Sequence, residues 1–243
     1  MSVDFKIKQA GAALFMLVGF AGAANAGSLD TPQVDPQPMV SSSGWEGYYA
    51  GARLGFGFAG DDEVGHRSAA GLLIASPGTL AMDGGLYGLR MGWRREKAYR
   101  NTSVVFGGEL SYERGNLEDS FDKNGYEASS KLDNLWGMRF KVGGTTPSRE
   151  TLFYGILGYA RAEFDYEVAG ATGAEVIDLD TNTDLGGYIV GLGVEHKLSD
   201  PLSVTAEWEF MEFGSTKLTD SAGAVTSATP KFQNFSIGLN YSF

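Results

Sequence analysis

At 243 residues the chain has room for one closed sheet rather than many domains, and with no cysteine it excludes disulfide staples, thiol catalysis and thiolate metal sites. Its net charge is −11, and −12 once Asp4, Lys6 and Lys8 leave with residues 1–26, which argues against nucleic acid as a partner. The 35 glycines and 12% aromatics point away from helical domains and toward a small barrel, where glycine stands wherever side chains crowd the interior.

Residues 1–26 read as a secretory signal peptide. Lys6 and Lys8 give a basic start, Ala10 to Ala24 an apolar run, and Ala24-Asn25-Ala26 a small-x-small cleavage site. A transmembrane helix is the competing reading, but the run falls short of the ~20 residues a bilayer needs. No other uninterrupted apolar run of spanning length exists, so membrane residence requires a barrel. Residues 27–44 form a linker, kept extended by Pro32, Pro36 and Pro38. Residues 45–243 are the expected barrel.

Eight strands follow, over 45–58, 84–93, 103–114, 131–144, 151–166, 184–198, 202–213 and 231–243. Successive strand side chains point to opposite faces, so each period-two pattern names two faces. The hairpin of strands six and seven is the clearest. Tyr188, Val190, Leu192, Val194, His196 and Leu198 share one face with Leu202, Val204, Ala206, Trp208 and Phe210. Ser199-Asp200-Pro201 supplies the turn. On the other face Gly193 stands opposite Glu207, and Gly191 opposite Glu209. The apolar face is aromatic-rich and the small-plus-charged face looks enclosed, the inversion expected of a barrel in lipid. Strand five has the least clear faces. Leu152, Tyr154, Ile156, Phe164 and Tyr166 are assigned outward, while Phe153, Leu157, Tyr159, Arg161 and Glu163 share the inward register.

Connections alternate long and short. Four long ones, at 59–83, 115–130, 167–183 and 214–230, read as extracellular loops, and the short ones as periplasmic turns, with both termini periplasmic. The fold expected is therefore an all-β, eight-stranded antiparallel transmembrane barrel. Its aromatics are expected in two girdles, Trp45, Tyr48, Trp93, Tyr154, Tyr241 and Phe243 low, and Tyr112, Phe164, Tyr166, Trp208 and Phe210 high. A soluble lipocalin-like barrel would have to reverse every strand's facing.

WEGYYAGARLGFGF, the GGEL of strand three, the hairpin GYIVGLGVEHKLSDPLSVTAEWEFMEFG and the closing NFSIGLNYSF resemble the OmpA-like outer membrane beta-barrel family, over Trp45 to Phe243. The likeness is greatest to alphaproteobacterial major outer-membrane antigens, or small porin-like proteins. The resemblance implies an eight-stranded, surface-exposed and antigenic barrel; it does not imply a catalytic site. It also implies that Ile237, Leu239, Tyr241 and the terminal Phe243 form the signal read by the barrel-assembly machinery. Set against full OmpA, the resemblance covers the barrel, and no second, peptidoglycan-binding domain is expected after it.

Chemical motifs are few. Gly55-x-Gly57-x-x-Gly60 matches a dinucleotide fingerprint, but Asp61-Asp62-Glu63 follows and would repel phosphate. Asp178-x-Asp180-x-Asn182-x-Asp184 has calcium-loop spacing without the sixth-position glycine or the twelfth-position glutamate. It reads as a loose divalent-cation site or a solvated acidic loop. His66 is placed in a loop and His196 on the lipid-facing register, neither with catalytic partners, so no enzyme and no cofactor is expected.

The strongest constellation is the set of inward charges: Arg53, Arg90, Glu109, Asp133, Arg139, Lys141, Arg161, Glu163, Glu195, Lys197, Glu207 and Glu209. An eight-strand barrel is just wide enough for side chains to fill, and unpaired charge there would be costly. Glu207 and Glu209 are expected to meet Arg139, Arg53 or Arg90 and plug the lumen. The resulting function is structural: envelope integrity, with acidic loops presented to ions, lipopolysaccharide or host surfaces. A narrow pore for small solutes and an adhesin acting through its loops are the alternatives.

Overall fold

The structure, a computed structural model, describes residues 44–243. The expected signal peptide at 1–26, and the linker apart from Gly44, lie outside the described residues. Eleven strands make up the regular structure: β1 (Gly47–Arg67), β2 (Leu73–Leu80), β3 (Gly84–Tyr99), β4 (Thr102–Lys123), β5 (Tyr126–Thr145), β6 (Thr151–Thr172), β7 (Glu175–Lys197), β8 (Leu202–Phe213), β9 (Thr216–Thr219), β10 (Val225–Ala228) and β11 (Lys231–Ser242). β1, β3, β4, β5, β6, β7, β8 and β11 pair in that order, antiparallel throughout, and β11 pairs back to β1. This closes the eight-stranded ring and leaves that part of the sheet without an edge. The β7–β8 hairpin has the register read from the sequence, with Gly191 opposite Glu209 and Gly193 opposite Glu207.

Most of what was expected as four long loops is sheet. Residues 115–130 and 167–183 continue β4–β5 and β6–β7 as hairpins. The first tip, Asn124-Gly125, has φ of 57° and 78°, the left-handed pair that a two-residue hairpin turn demands. Residues 59–83 carry the rest of β1 together with β2, and 214–230 hold β9 and β10.

The alternation changes meaning along each long strand. On β7 Leu192, Val190 and Tyr188 point outward in the half of the barrel that holds Phe243, and Asp184, Asp180 and Asp178 point outward farther along. Inward, the order runs from Glu195 and glycines to Ile189, Leu185, Leu179 and Ile177. One half of the barrel is apolar outside and polar inside; the other half is the reverse.

The structure corrects strand five, in part through this reversal and in part because apolar side chains also enter the lumen beside the charges. Leu152, Tyr154, Ile156, Phe164 and Tyr166 are all buried inside, and Phe153, Leu157, Tyr159 and Arg161 face out. Arg161 and Glu163 stand where the outer surface is polar, not in the lumen.

At the far end the ring divides into two opposed sheets. One is β2–β1–β10–β9, and the other is the continuation of β4 through β7. Register shifts between Phe58 and Asp61, Arg114 and Leu117, and Leu132 and Asn134 lie at this level. Bulges bend strands and raise their twist, which suits the division. Val64, Leu80 and Leu218 from one sheet, and Leu117, Leu132, Phe164 and Val168 from the other, are buried between them. Phe213 lies 5.3 Å from Phe164 and 6.0 Å from Phe232, ring to ring. Each such fully buried side chain contributes about 1.5–3 kcal/mol, so this end is a packed core and not a set of free loops.

Candidate functional site in the barrel lumen

Below that core the interior is charged. β1 supplies Arg53, β3 Arg90, β4 Glu109 and Glu113, β5 Arg139 and Lys141, and β8 Glu207 and Glu209. Arg139 grips Glu209 with two nitrogens, Nε to Oε1 at 2.5 Å and Nη2 to Oε2 at 3.2 Å. It also donates to Glu113 at 3.1 Å and to Ser111 Oγ at 2.5 Å. Arg53 meets the same two carboxylates, Glu209 at 2.7 Å and Glu113 at 3.5 Å, and donates to Ser236 Oγ at 2.6 Å. Arg90 donates to Glu207 at 3.0 Å, Asn240 Oδ1 at 2.8 Å and Thr205 Oγ1 at 2.6 Å. Lys141 bridges Glu109 at 2.6 Å and Glu207 at 2.7 Å. Tyr49 and Tyr154 add phenol donors to Glu109 at 2.8 Å and Glu207 at 2.6 Å.

Glycine makes these contacts possible. A Cβ at Gly193 would lie 2.5 Å from the Tyr154 ring, and one at Gly238 would lie 2.4 Å from Arg90 Nη2.

A second layer of contacts lies at the base. Arg94 donates to Glu195 at 2.9 Å, and Glu195 also accepts from Ser203 and from Asn240 Nδ2 at 3.0 Å. The Arg94 guanidinium lies 4.3 Å from the Tyr49 ring and 5.3 Å from the Trp45 ring. Trp45 is buried and donates Nε1 to the Arg149 carbonyl at 2.8 Å. The cavity among Tyr49, Arg94, Lys141, Leu152, Tyr154 and Glu195 measures about 20 Å³, room for one water at most.

Of the inward charges expected from the sequence, Arg53, Arg90, Glu109, Arg139, Lys141, Glu195, Glu207 and Glu209 are brought together in the lumen. Three are not. Arg161 is exposed and pairs with exposed Asp184 at 2.8 Å. Glu163 is on the same outer face and accepts from Asn134 at 2.8 Å. Asp133 is at the β5 bulge and pairs outside with Lys131 at 2.9 Å. Lys197 lies at the base, 5.0 Å from the Trp45 ring, with its Nζ donating to the Gly44 carbonyl at 2.8 Å.

Glu113 and Arg94 join the lumen without having been singled out. Both follow from parity, Glu113 from Glu109 and Ser111, and Arg94 from Arg90 and Gly92. With them the lumen charges, all buried except the partly buried Lys141, number five basic and five acidic, a neutral set. Arrayed this way, they can cross-link six strands, β1, β3, β4, β5, β7 and β8.

The remaining motifs take plain positions. Asp178, Asp180, Asn182 and Asp184 lie along the outer face of β7, not in a loop, and Asn182 donates to Asp165 at 2.7 Å. Among the described residues no group of three or more His, Asp or Glu is arranged to hold a metal. His66 is buried on β1, not in a loop, with Nδ1 2.7 Å from Tyr126 Oη. His196 is outward and 2.9 Å from Thr151 Oγ1. Tyr48, Trp93, Tyr241, Phe243 and Trp208 are exposed on the outside, but Trp45, Tyr154, Phe164 and Tyr166 leave the expected girdles for the interior.

The chain matches the family described as outer membrane protein beta-barrel domain over residues 11–243. No curated protein matches it. Among solved structures it is similar to the outer membrane protein OprG from Pseudomonas aeruginosa, at 14% identity and a TM-score of 0.51, covering 83% of this chain and 98% of that one. It is also similar to the outer membrane protease OmpT from Escherichia coli, at 10% identity and 0.39, covering 80% and 97%. For Ail, the attachment invasion locus protein of Yersinia pestis, the figures are 14% and 0.35, covering 82% and 99%. The OprG likeness speaks to the fold alone.

Proposed function

The chain belongs to the outer membrane protein beta-barrel family, and on that premise we propose that it is a closed, structural barrel of the bacterial outer membrane. Its role is envelope integrity, with the two-sheet end presented outside the cell and both termini in the periplasm. Residues 1–26 are removed on export. The supporting observation is the neutral lumen, in which every one of the ten charges has an opposite partner. Trp45 and Tyr49 close it below and the apolar core closes it above.

The outward apolar band is wetted by membrane lipid, and the acidic outer face of β6 and β7 faces lipopolysaccharide, ions or host surfaces. Ile237, Leu239, Tyr241 and Phe243 are all outward and exposed on β11 and its end, which suits recognition by the barrel-assembly machinery. No catalytic role and no cofactor is assigned.

Planar-bilayer conductance of the refolded protein tests the closure. Wild type is expected to stay closed, and Glu207→Ala and Glu209→Ala to admit brief openings. Steady wild-type conductance would return the reading to a narrow channel.

A further inference from the structure

A groove of about 470 Å³ runs along the outer face across β1, β3, β4 and β5, between Tyr48, Met91, Trp93, Leu110, Met138 and Phe243. Ala50 and Gly108 keep it deep; a Cβ at Gly108 would lie 3.1 Å from Trp93 Nε1. At the Phe243 end it shares Tyr48 and Trp93 with a polar recess of about 420 Å³ that holds Glu46, Arg94 and Arg95. Lys97 follows Arg95 on the outward face of β3. Arg95 pairs with Glu46, whereas Lys97 and Arg100 have no ion-pair partner among the described residues. A second outer groove, of about 550 Å³ between Leu54, Phe56, Phe235, Ile237 and Leu239, has no outward cation in its lining.

We infer that the first groove seats an acyl chain of a phospholipid with an anionic headgroup, whose phosphate lies at Arg95 and Lys97. The inference rests on the outer-membrane reading and adds the lipid class and its seat. Charge complementarity selects the headgroup. The far end turns Asp178, Asp180 and Asp184 outward, so anion attraction belongs to the Phe243 end. Trp93 and Tyr48 mark the junction of apolar and polar surface, the depth at which such rings anchor in bilayers. Each cation near an anionic lipid surface is worth about fivefold in affinity.

The test uses the full chain refolded into phosphatidylcholine vesicles, in a W136F/W208F background. Trp93 is then the outward tryptophan, and Trp45 is buried. Brominated phosphatidylglycerol is expected to quench at a several-fold lower mole fraction than brominated phosphatidylcholine. R95Q/K97Q should abolish the difference, and Ala50→Phe, which fills the groove without changing charge, should reduce it. Equal quenching by the two lipids in wild type, or a preference that survives both variants, overturns the inference and leaves the barrel reading standing. If neither lipid quenches Trp93, the outer-membrane reading falls as well.

Discussion

Glu209→Gln removes one charge and almost no volume from the centre of the lumen. Glu209 is fully buried, and two guanidiniums converge on it, Arg53 at 2.7 Å and Arg139 at 2.5 and 3.2 Å. The amide leaves the lumen with one uncompensated positive charge. Breaking a buried pair from one side costs about 3–5 kcal/mol. Glu113 remains at 3.1 Å from Arg139 and 3.5 Å from Arg53, which places the expected loss toward the lower end, about 3 kcal/mol. Urea unfolding of the refolded barrel in lipid vesicles, followed by tryptophan fluorescence and gel mobility, measures it. Arg139→Gln added to Glu209→Gln restores neutrality, and a coupling of about 1–3 kcal/mol between the two changes is expected. A loss below about 1 kcal/mol for the single change is the range of solvated surface pairs, and would refute the reasoning that this network is dry and cross-linking.

Arg161→Ala is the contrasting case: its pair with Asp184 is exposed, and unfolding should shift by no more than about 0.5 kcal/mol. Gly193→Ala forces the Tyr154 ring away and breaks its bond to Glu207; a loss of about 1–3 kcal/mol in the same assay is expected from overpacking. Asp62, in the far end beyond the apolar band, accepts from the Thr229 amide at 2.7 Å, yet burial pushes its carboxyl up from 3.8 to about 6. The folded state therefore holds a proton that the unfolded state has lost between roughly pH 4 and 6, so stability falls as pH rises through that window, by on the order of 2–3 kcal/mol. Asp62→Asn should flatten this part of the pH profile, and an unchanged profile would exclude Asp62 as its source.

Periodicity made the ring legible. The eight strands, the Ser199-Asp200-Pro201 turn and the glycine–glutamate register across β7 and β8 all follow from alternation of period two. The length of the strands did not follow, because the apolar set changes faces partway along β6 and β7. Across Arg161 to Tyr166 the outward side is Arg161, Glu163 and Asp165, which reads as a lumen only if lipid is assumed outside. Phe164 and Tyr166 were assigned to a girdle for the same reason. Trp45 belongs to the interior rather than the low girdle: it shares the parity of Arg53 and packs on the Arg94 guanidinium. Glu113 was within reach, two residues beyond Ser111 on an inward register already established.

The division of the barrel into two packed sheets has a consequence for variation. Asn124-Gly125 and Gly173-Ala174 stand on paired strands whose inner faces already pack without them. Substitutions or insertions at these tips are thereby uncoupled from closure of the ring below. A lineage under pressure at its surface could rewrite the tips repeatedly and keep one unchanged pedestal.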